Sequence, residues 1–197
     1  MMIKISKQET SMQTHTEHSH SMQILTAPDV GQLFLLIANR TFLRQTVPLL
    51  IARLTHNSHL RILDGSNSFN FHETARELRR QTVRLQERLE SIHIARAFTC
   101  YQVVSMLSEM PQDGTFILGL NLLSTFYDEN VAEWERDRLI NQVLICLQQL
   151  SQSTPTLLTA QMRSPNITDK YLPQLEEIAS QVWKFENKPS PFTPRLL

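Results

Sequence analysis

Asp64, Asp128 and Glu129 are the residues of this chain best suited to chemistry. Carboxylates brought together hold Mg²⁺ or Mn²⁺, and the metal then activates water against a phosphodiester. Asp64 follows the apolar run LRIL, and Asp128 and Glu129 follow the loop that leaves TFILGL, with Glu133 and Glu135 soon after. A plainer reading competes and is preferred. Asp64 ahead of Gly65 forms a turn, and acids at the start of a helix favour its N-terminal dipole, with Asp128 or Asn130 as its cap. Arg96 poses a different question: in Ala95-Arg96-Ala97-Phe98 a permanent cation stands between two small apolar residues, at the end of a strand expected to be buried. Bonding to backbone carbonyls or to an acid on a neighbouring loop answers it, with Phe98 packed beneath; a contact to DNA or a partner is the alternative.

Other polar groups carry weaker signals. His15, His18 and His20 could hold a transition metal, but a polar tail gives them nothing to orient them. Cys100 and Cys146 sit inside expected helices without C-x-x-C spacing and read as reduced, half-buried small residues. No Ser/His/Asp or Cys/His pair stands out, and His93, within a strand, reads as structural. ARELRRQTVRLQERLE (75–90) is the densest basic stretch, with Arg76, Arg79, Arg80, Arg84 and Arg88 spaced to put several on one helical face. A solvated face laced with Glu77, Glu87 and Glu90 is its default, and Arg76 and Arg80 are the residues to contact a phosphate backbone if one is bound.

The bulk composition narrows the classes. A chain of 197 residues suits one core domain. Nineteen basic and nineteen acidic residues cancel, which argues against a strongly electropositive nucleic-acid binder. No apolar run approaches the roughly 20 residues of a membrane span, and the first residues lack the apolar core of a secretory leader. A cytoplasmic location is therefore expected. Only four glycines are present, which speaks against a glycine-rich phosphate loop.

Positioning these residues falls to alternating elements. Residues 1–22 are polar and expected to be disordered, 23–188 form the core domain, and 189–197 are a Pro-rich tail. Apolar runs at 32–38, 60–63, 92–95, 115–120 and 156–160 predict strands, with 181–186 as a last one. Helices are predicted at 46–55 (Thr46 as N-cap, Pro48 in the first turn), 71–81, 99–110, 131–150 and 170–180. Strands apolar throughout and separated by helices imply an α/β fold, a mostly parallel sheet with helices on both faces. Function in such a sheet gathers beyond the strands' carboxyl ends, which points to 39–46, 64–68, 96–102, 121–130 and 161–166.

The order of segments resembles a known family. ILDGSNSFN, then ESIHIARAFTCYQVVSML, TFILGLNLL and LLTAQM are similar to the ATPase core of the RecA/RadA-type recombinases and their eukaryotic paralogues, over roughly residues 32–162. Ala95-Arg96-Ala97-Phe98 with Gln102 is the most specific part. The resemblance implies a RecA-like three-layer α/β/α fold, and site by site it implies that ATPase chemistry has been lost. The phosphate loop G-x-x-x-x-G-K-[ST] falls on Asn39-Arg40-Thr41-Phe42-Leu43-Arg44-Gln45-Thr46: both glycines are gone, Gln45 replaces Lys, and only Thr46 fits. Side chains at Asn39 and Arg44 would fill the space a phosphate needs, and Phe42 and Leu43 make the segment apolar. Arg40 or Arg44 could attract a phosphate, but without a nest of backbone donors. The water-polarising Glu falls on Ser66, and the Mg²⁺-holding Asp on Leu120, which cannot coordinate a hard cation. Thr159-Ala160-Gln161 keeps the element that senses nucleotide. The first DNA-binding loop falls near Phe126 and Tyr127, which could stack on bases; the second is cut to residues 162–166. The resemblance thus implies a non-enzyme without cofactor or metal, pairing with a RecA-family ATPase or with itself, with DNA as a possible ligand. Residual nucleotide binding through Arg44 and Thr46, or metal-dependent hydrolysis through Asp64, Asp128 and Glu129, are the alternatives.

Overall fold

Leu33–Ala38 buries all six of its side chains, which only a central strand covered on both faces can do. A computed structural model of the chain describes residues 2–5, 8–9, 26–56, 58–128, 130–162 and 169–186. Along these run β1 (Met2–Ile5), β2 (Gln8–Glu9), β3 (Leu33–Ala38), α1 (Arg40–Leu54) and β4 (Leu60–Asp64). Next come α2 (Phe71–Gln81), α3 (Leu85–Glu90), β5 (Ile92–Arg96), α4 (Cys100–Ser108) and β6 (Phe116–Leu120). A 3-10 helix (Leu122–Tyr127), α5 (Glu133–Ser153), β7 (Thr156–Gln161), α6 (Leu172–Ile178) and β8 (Gln181–Glu186) complete the order.

All eight strands join one sheet in the order β2-β1-β8-β3-β7-β6-β4-β5. From β8 to β5 every pairing is parallel, while β1 and β2 add an antiparallel hairpin beside β8. Side-chain alternation along β3 divides the core in two. Leu33, Leu35 and Ile37 face α4, α5 and α6, where Val103, Leu107, Val143 and Leu147 cover them. Phe34, Leu36 and Ala38 face α1, under Phe42, Leu50 and Ile51. The chain is therefore a three-layer α/β/α fold with a mostly parallel sheet. No helix of the described residues is long and apolar enough to cross a membrane.

Four expectations change. Residues 2–5 and 8–9 lie in strands rather than in a disordered tail, and the sequence MIKI has the alternation of a strand. His15, His18 and His20 and the Pro-rich tail lie outside the described residues. β5 is the outermost strand rather than a buried one, and Ile94 is 41% exposed. The arginine stretch is not one helix: Thr82 is extended (φ −149°, ψ 147°) and separates α2 from α3, so its arginines share no single face. They are largely engaged locally: Arg76 with Glu73, Arg80 with Glu77 at 2.8 Å, and Arg88 with the Thr55 carbonyl. Finally, α1 starts six residues before Thr46.

One ion pair pins β4 to the loop ahead of β6. Arg61 donates through both terminal nitrogens to the two oxygens of Asp113, each at 2.6 Å, and Thr115 N–H adds a third bond at 3.0 Å. The guanidinium bond holds the Asp113 carboxyl well below the usual carboxylate range. A depressed folded pKa means stability that is present above the unfolded value, about 4, and lost as pH falls below it. The melting-temperature gap between wild type and Asp113→Asn should thus be widest at neutral pH and narrow steadily below about pH 4. A gap unchanged between pH 7 and pH 2.5 would remove the ion pair from the account.

Candidate functional site

Adjacent strands β3 and β7, and likewise β4 and β6, send their following helices to opposite faces of the sheet. A crevice opens where the chain diverges in this way, outside the carboxyl ends. It is a cleft of about 570 Å³. Arg40, Leu43, Arg44, Val47 and Pro48 of α1 form one wall. Ser66, Asn67, Ser68 and Asn70, from the turn after β4, stand on another, and Asn121, Ser124, Tyr127, Thr159 and Gln161 close it beside β6 and β7. None of these residues is acidic.

The segment that would cradle a phosphate is helical. β3 ends at Ala38, Asn39 alone bridges, and α1 begins at Arg40. The Asn39 carboxamide oxygen accepts from Phe42 N–H at 2.9 Å and its carbonyl accepts from Leu43 N–H at 3.1 Å, so the cap and the first helical bond are both in place. Thr46 is consequently not the N-cap but a buried residue in mid-helix, and Pro48 lies inside the helix rather than in its first turn. The cause is burial: Phe42 stacks on Phe185 with ring centroids 4.4 Å apart, and Leu43 packs into the same cluster. Backbone amides wound into a helix cannot close around a phosphate. Gln45 is exposed on the outer side of α1, away from the cleft lining.

Asp64 is wholly buried. One oxygen accepts from Ser66 N–H (3.2 Å), Ser68 N–H (3.0 Å) and the Ser68 hydroxyl (3.4 Å). The other accepts from Phe69 N–H at 2.9 Å and lies 3.6 Å from Arg96 Nε. Its lone pairs organise the turn 65–69, which leaves little for a metal. Gly65 is required here, because a Cβ would lie 2.7 Å from the Leu122 Cα. Asp128 accepts from Asn130 N–H at 3.0 Å and from its carboxamide at 2.8 Å, a turn of its own. Neither residue caps α5, whose N-cap is Ala132, with no side-chain bond. Glu129 lies outside the described residues, and among those described no three His, Cys, Asp or Glu side chains converge as metal ligands.

Arg96 closes the turn by leaning on Asp64, the acid at the end of the neighbouring strand, while keeping 43% of its side chain exposed. Phe98 does not pack beneath it: the ring is 69% exposed. Phe126 is fully buried and meets Tyr171 edge-on at 6.0 Å, so it is unable to stack on a base. Tyr127 lines the cleft, half-buried, with its hydroxyl on the Asp169 carboxylate. Arg76 and Arg80 lie on α2, not in the cleft: Arg76 borders an adjoining hollow and Arg80 pairs with Glu77. Residues 163–168, which include most of the shortened second loop, lie outside the described residues. Gln161 remains exposed at the cleft, its N–H donating to the Asn121 carboxamide at 3.1 Å.

The sequence did not single out Asn67, Asn70 or Ser124. Asn67 (φ 51°) and Asn121 (φ 47°) are the left-handed non-glycine residues among those described, and both line the cleft. A run such as GSNSFN after a buried strand was the available signal. Comparison with protein-family models finds no matching family, and comparison with curated proteins finds no match.

Proposed function

We propose that this protein is a RecA-like pseudo-ATPase, a cytoplasmic non-catalytic accessory of DNA recombination or repair that pairs with an active RecA-type ATPase or with a second copy of itself. One observation carries the reading: β3 runs through a single residue, Asn39, into α1, so positions 40–46 are helix rather than phosphate loop. Two further observations agree with it. Among the described residues no acidic side chain lines the cleft to hold Mg²⁺ or polarise water, and the Asp64 oxygens are occupied by turn amides. The segments that carry the resemblance (the Asp64 turn, Arg96, Asn121, Gln161) all lie at the carboxyl ends of parallel strands of one sheet, which supports the reading.

Turnover of ATP or GTP with Mg²⁺ is expected at the buffer-only rate, and the protein should co-migrate on gel filtration with a RecA-type ATPase or as a self-complex. Turnover that disappears in Thr46→Val would reverse the proposal.

A further inference from the structure

We infer that the cleft at the carboxyl edge of the sheet is a metal-independent binding site for a small phosphorylated polyol, of the class of sugar phosphates. This goes beyond the accessory role and does not depend on it. The argument begins with charge. Arg40 and Arg44 stand one helical turn apart on α1 and both line the cleft. Neither makes an ion pair or hydrogen bond to any other described residue. Arg40 is also the first residue of α1, so the positive end of the helix dipole adds to the two guanidiniums. Glu73 and Glu77, in the adjoining hollow, are taken by Arg76 and Arg80. Arg40 and Arg44 border that hollow too, but its two acids already hold other arginines, and guanidiniums left without an acidic partner suit a phosphate monoester, which they grip through charge-assisted bonds.

The opposite wall supplies what hydroxyl groups need. Asp64 consumes the backbone amides of its turn but leaves the Ser66 hydroxyl buried at the atom level with no partner. The Asn121 carboxamide spends its oxygen on Gln161 N–H, which leaves its amide nitrogen as a donor, and the Gln161 side chain is exposed and without a partner among the described residues. Donors and acceptors on carboxamides match vicinal hydroxyls, while Leu43, Val47 and Pro48 offer an apolar strip for a sugar's C–H face. The described lining holds no carboxylate, so binding of the phosphate there calls for no bridging cation. At about 570 Å³ the cleft is in the range of small-ligand sites.

The test is calorimetric titration and thermal melting of the full chain with ribose 5-phosphate and glucose 6-phosphate in EDTA. Inorganic phosphate, free ribose and ATP with Mg²⁺ serve as separate arms. A melting-point rise with a sugar phosphate, larger than with phosphate or ribose alone and undiminished by EDTA, is expected. Arg40→Gln and Arg44→Gln should each weaken binding about tenfold or more, and Ser66→Ala about threefold. The Arg40, Arg44 and Ser66 side chains make no hydrogen bond or ion pair to another described residue, and the Ser66 N–H bond to Asp64 survives in Ser66→Ala, so the melting points of the variants without ligand serve as the folding control. Any of four results overturns the inference: no rise with either sugar phosphate at millimolar concentration, an equal rise with inorganic phosphate, a requirement for Mg²⁺, or affinity unchanged in both arginine variants.

Discussion

Asp64→Ala should lower the stability of the folded chain by about 3 to 5 kcal/mol, the range for removing one member of a buried, hydrogen-bonded charged set. Three backbone N–H groups, those of Ser66, Ser68 and Phe69, point at its two oxygens within 3.2 Å. Alanine strands all of them in a site that water cannot easily refill, and each unsatisfied donor costs on the order of 1 to 3 kcal/mol before relaxation. For a chain of this length the loss corresponds to a melting-point drop of roughly 6 to 20 °C. Arg96→Ala should cost much less, under about 1 kcal/mol, because the guanidinium is 3.6 Å away and 43% of its side chain meets solvent. The contrast is the useful measurement. A carboxylate kept for metal chemistry is commonly a strained group whose removal stabilises the apo fold. Asp64→Ala melting within 1 kcal/mol of wild type, or above it, would mean that the turn does not depend on this residue and would return it to the catalytic candidates.

What the sequence made legible follows a physical divide. Strands buried on both faces must be apolar at every position, so LFLLIA and TLLTA could be read directly, and the topology rule then placed most of the cleft at 39–46, 64–68 and 121–130. Path-dependent features were not legible. The run IHIA is equally apolar at a sheet centre or at its edge, and only the strand order makes Ile94 and Arg96 part of an exposed margin. Phe98 and Phe126 both follow strands, yet one points to solvent and the other into the core beside Tyr171; no local pattern decides which. The helix at 71–81 was legible, but the extended Thr82 after it breaks the common face that the arginine spacing over 75–90 suggested. The start of α1 was placed six residues late because Thr46 reads as a cap and Pro48 as a first-turn residue, although Asn39 is a good cap and lies three residues ahead of a buried aromatic.

That buried aromatic supplies the second large effect. Phe42 and Phe185 stack with ring planes 21° apart, joining the first turn of α1 to β8, the neighbour of β3 in the sheet. Phe42→Ala should cost about 3 to 5 kcal/mol in urea unfolding, from lost burial and the cavity left behind. The pair itself contributes about 0.5 to 1.5 kcal/mol of that, which a Phe42→Ala, Phe185→Ala double-mutant cycle should recover as non-additivity. The local sequence alone does not account for such an effect. Arg40-Thr41-Phe42-Leu43 has ordinary helix propensity, and a helix of 15 residues is marginal in water without tertiary packing. If packing holds the helix, restoring single residues of a phosphate loop cannot rebuild one: Gln45→Lys should leave nucleotide turnover at background, because the amides remain wound and the Phe42 ring remains docked. A Phe42→Ala loss below about 1 kcal/mol would instead mean that the helix stands without its anchor. The crowding of positions 39–46 would then follow from backbone preference and not from the core.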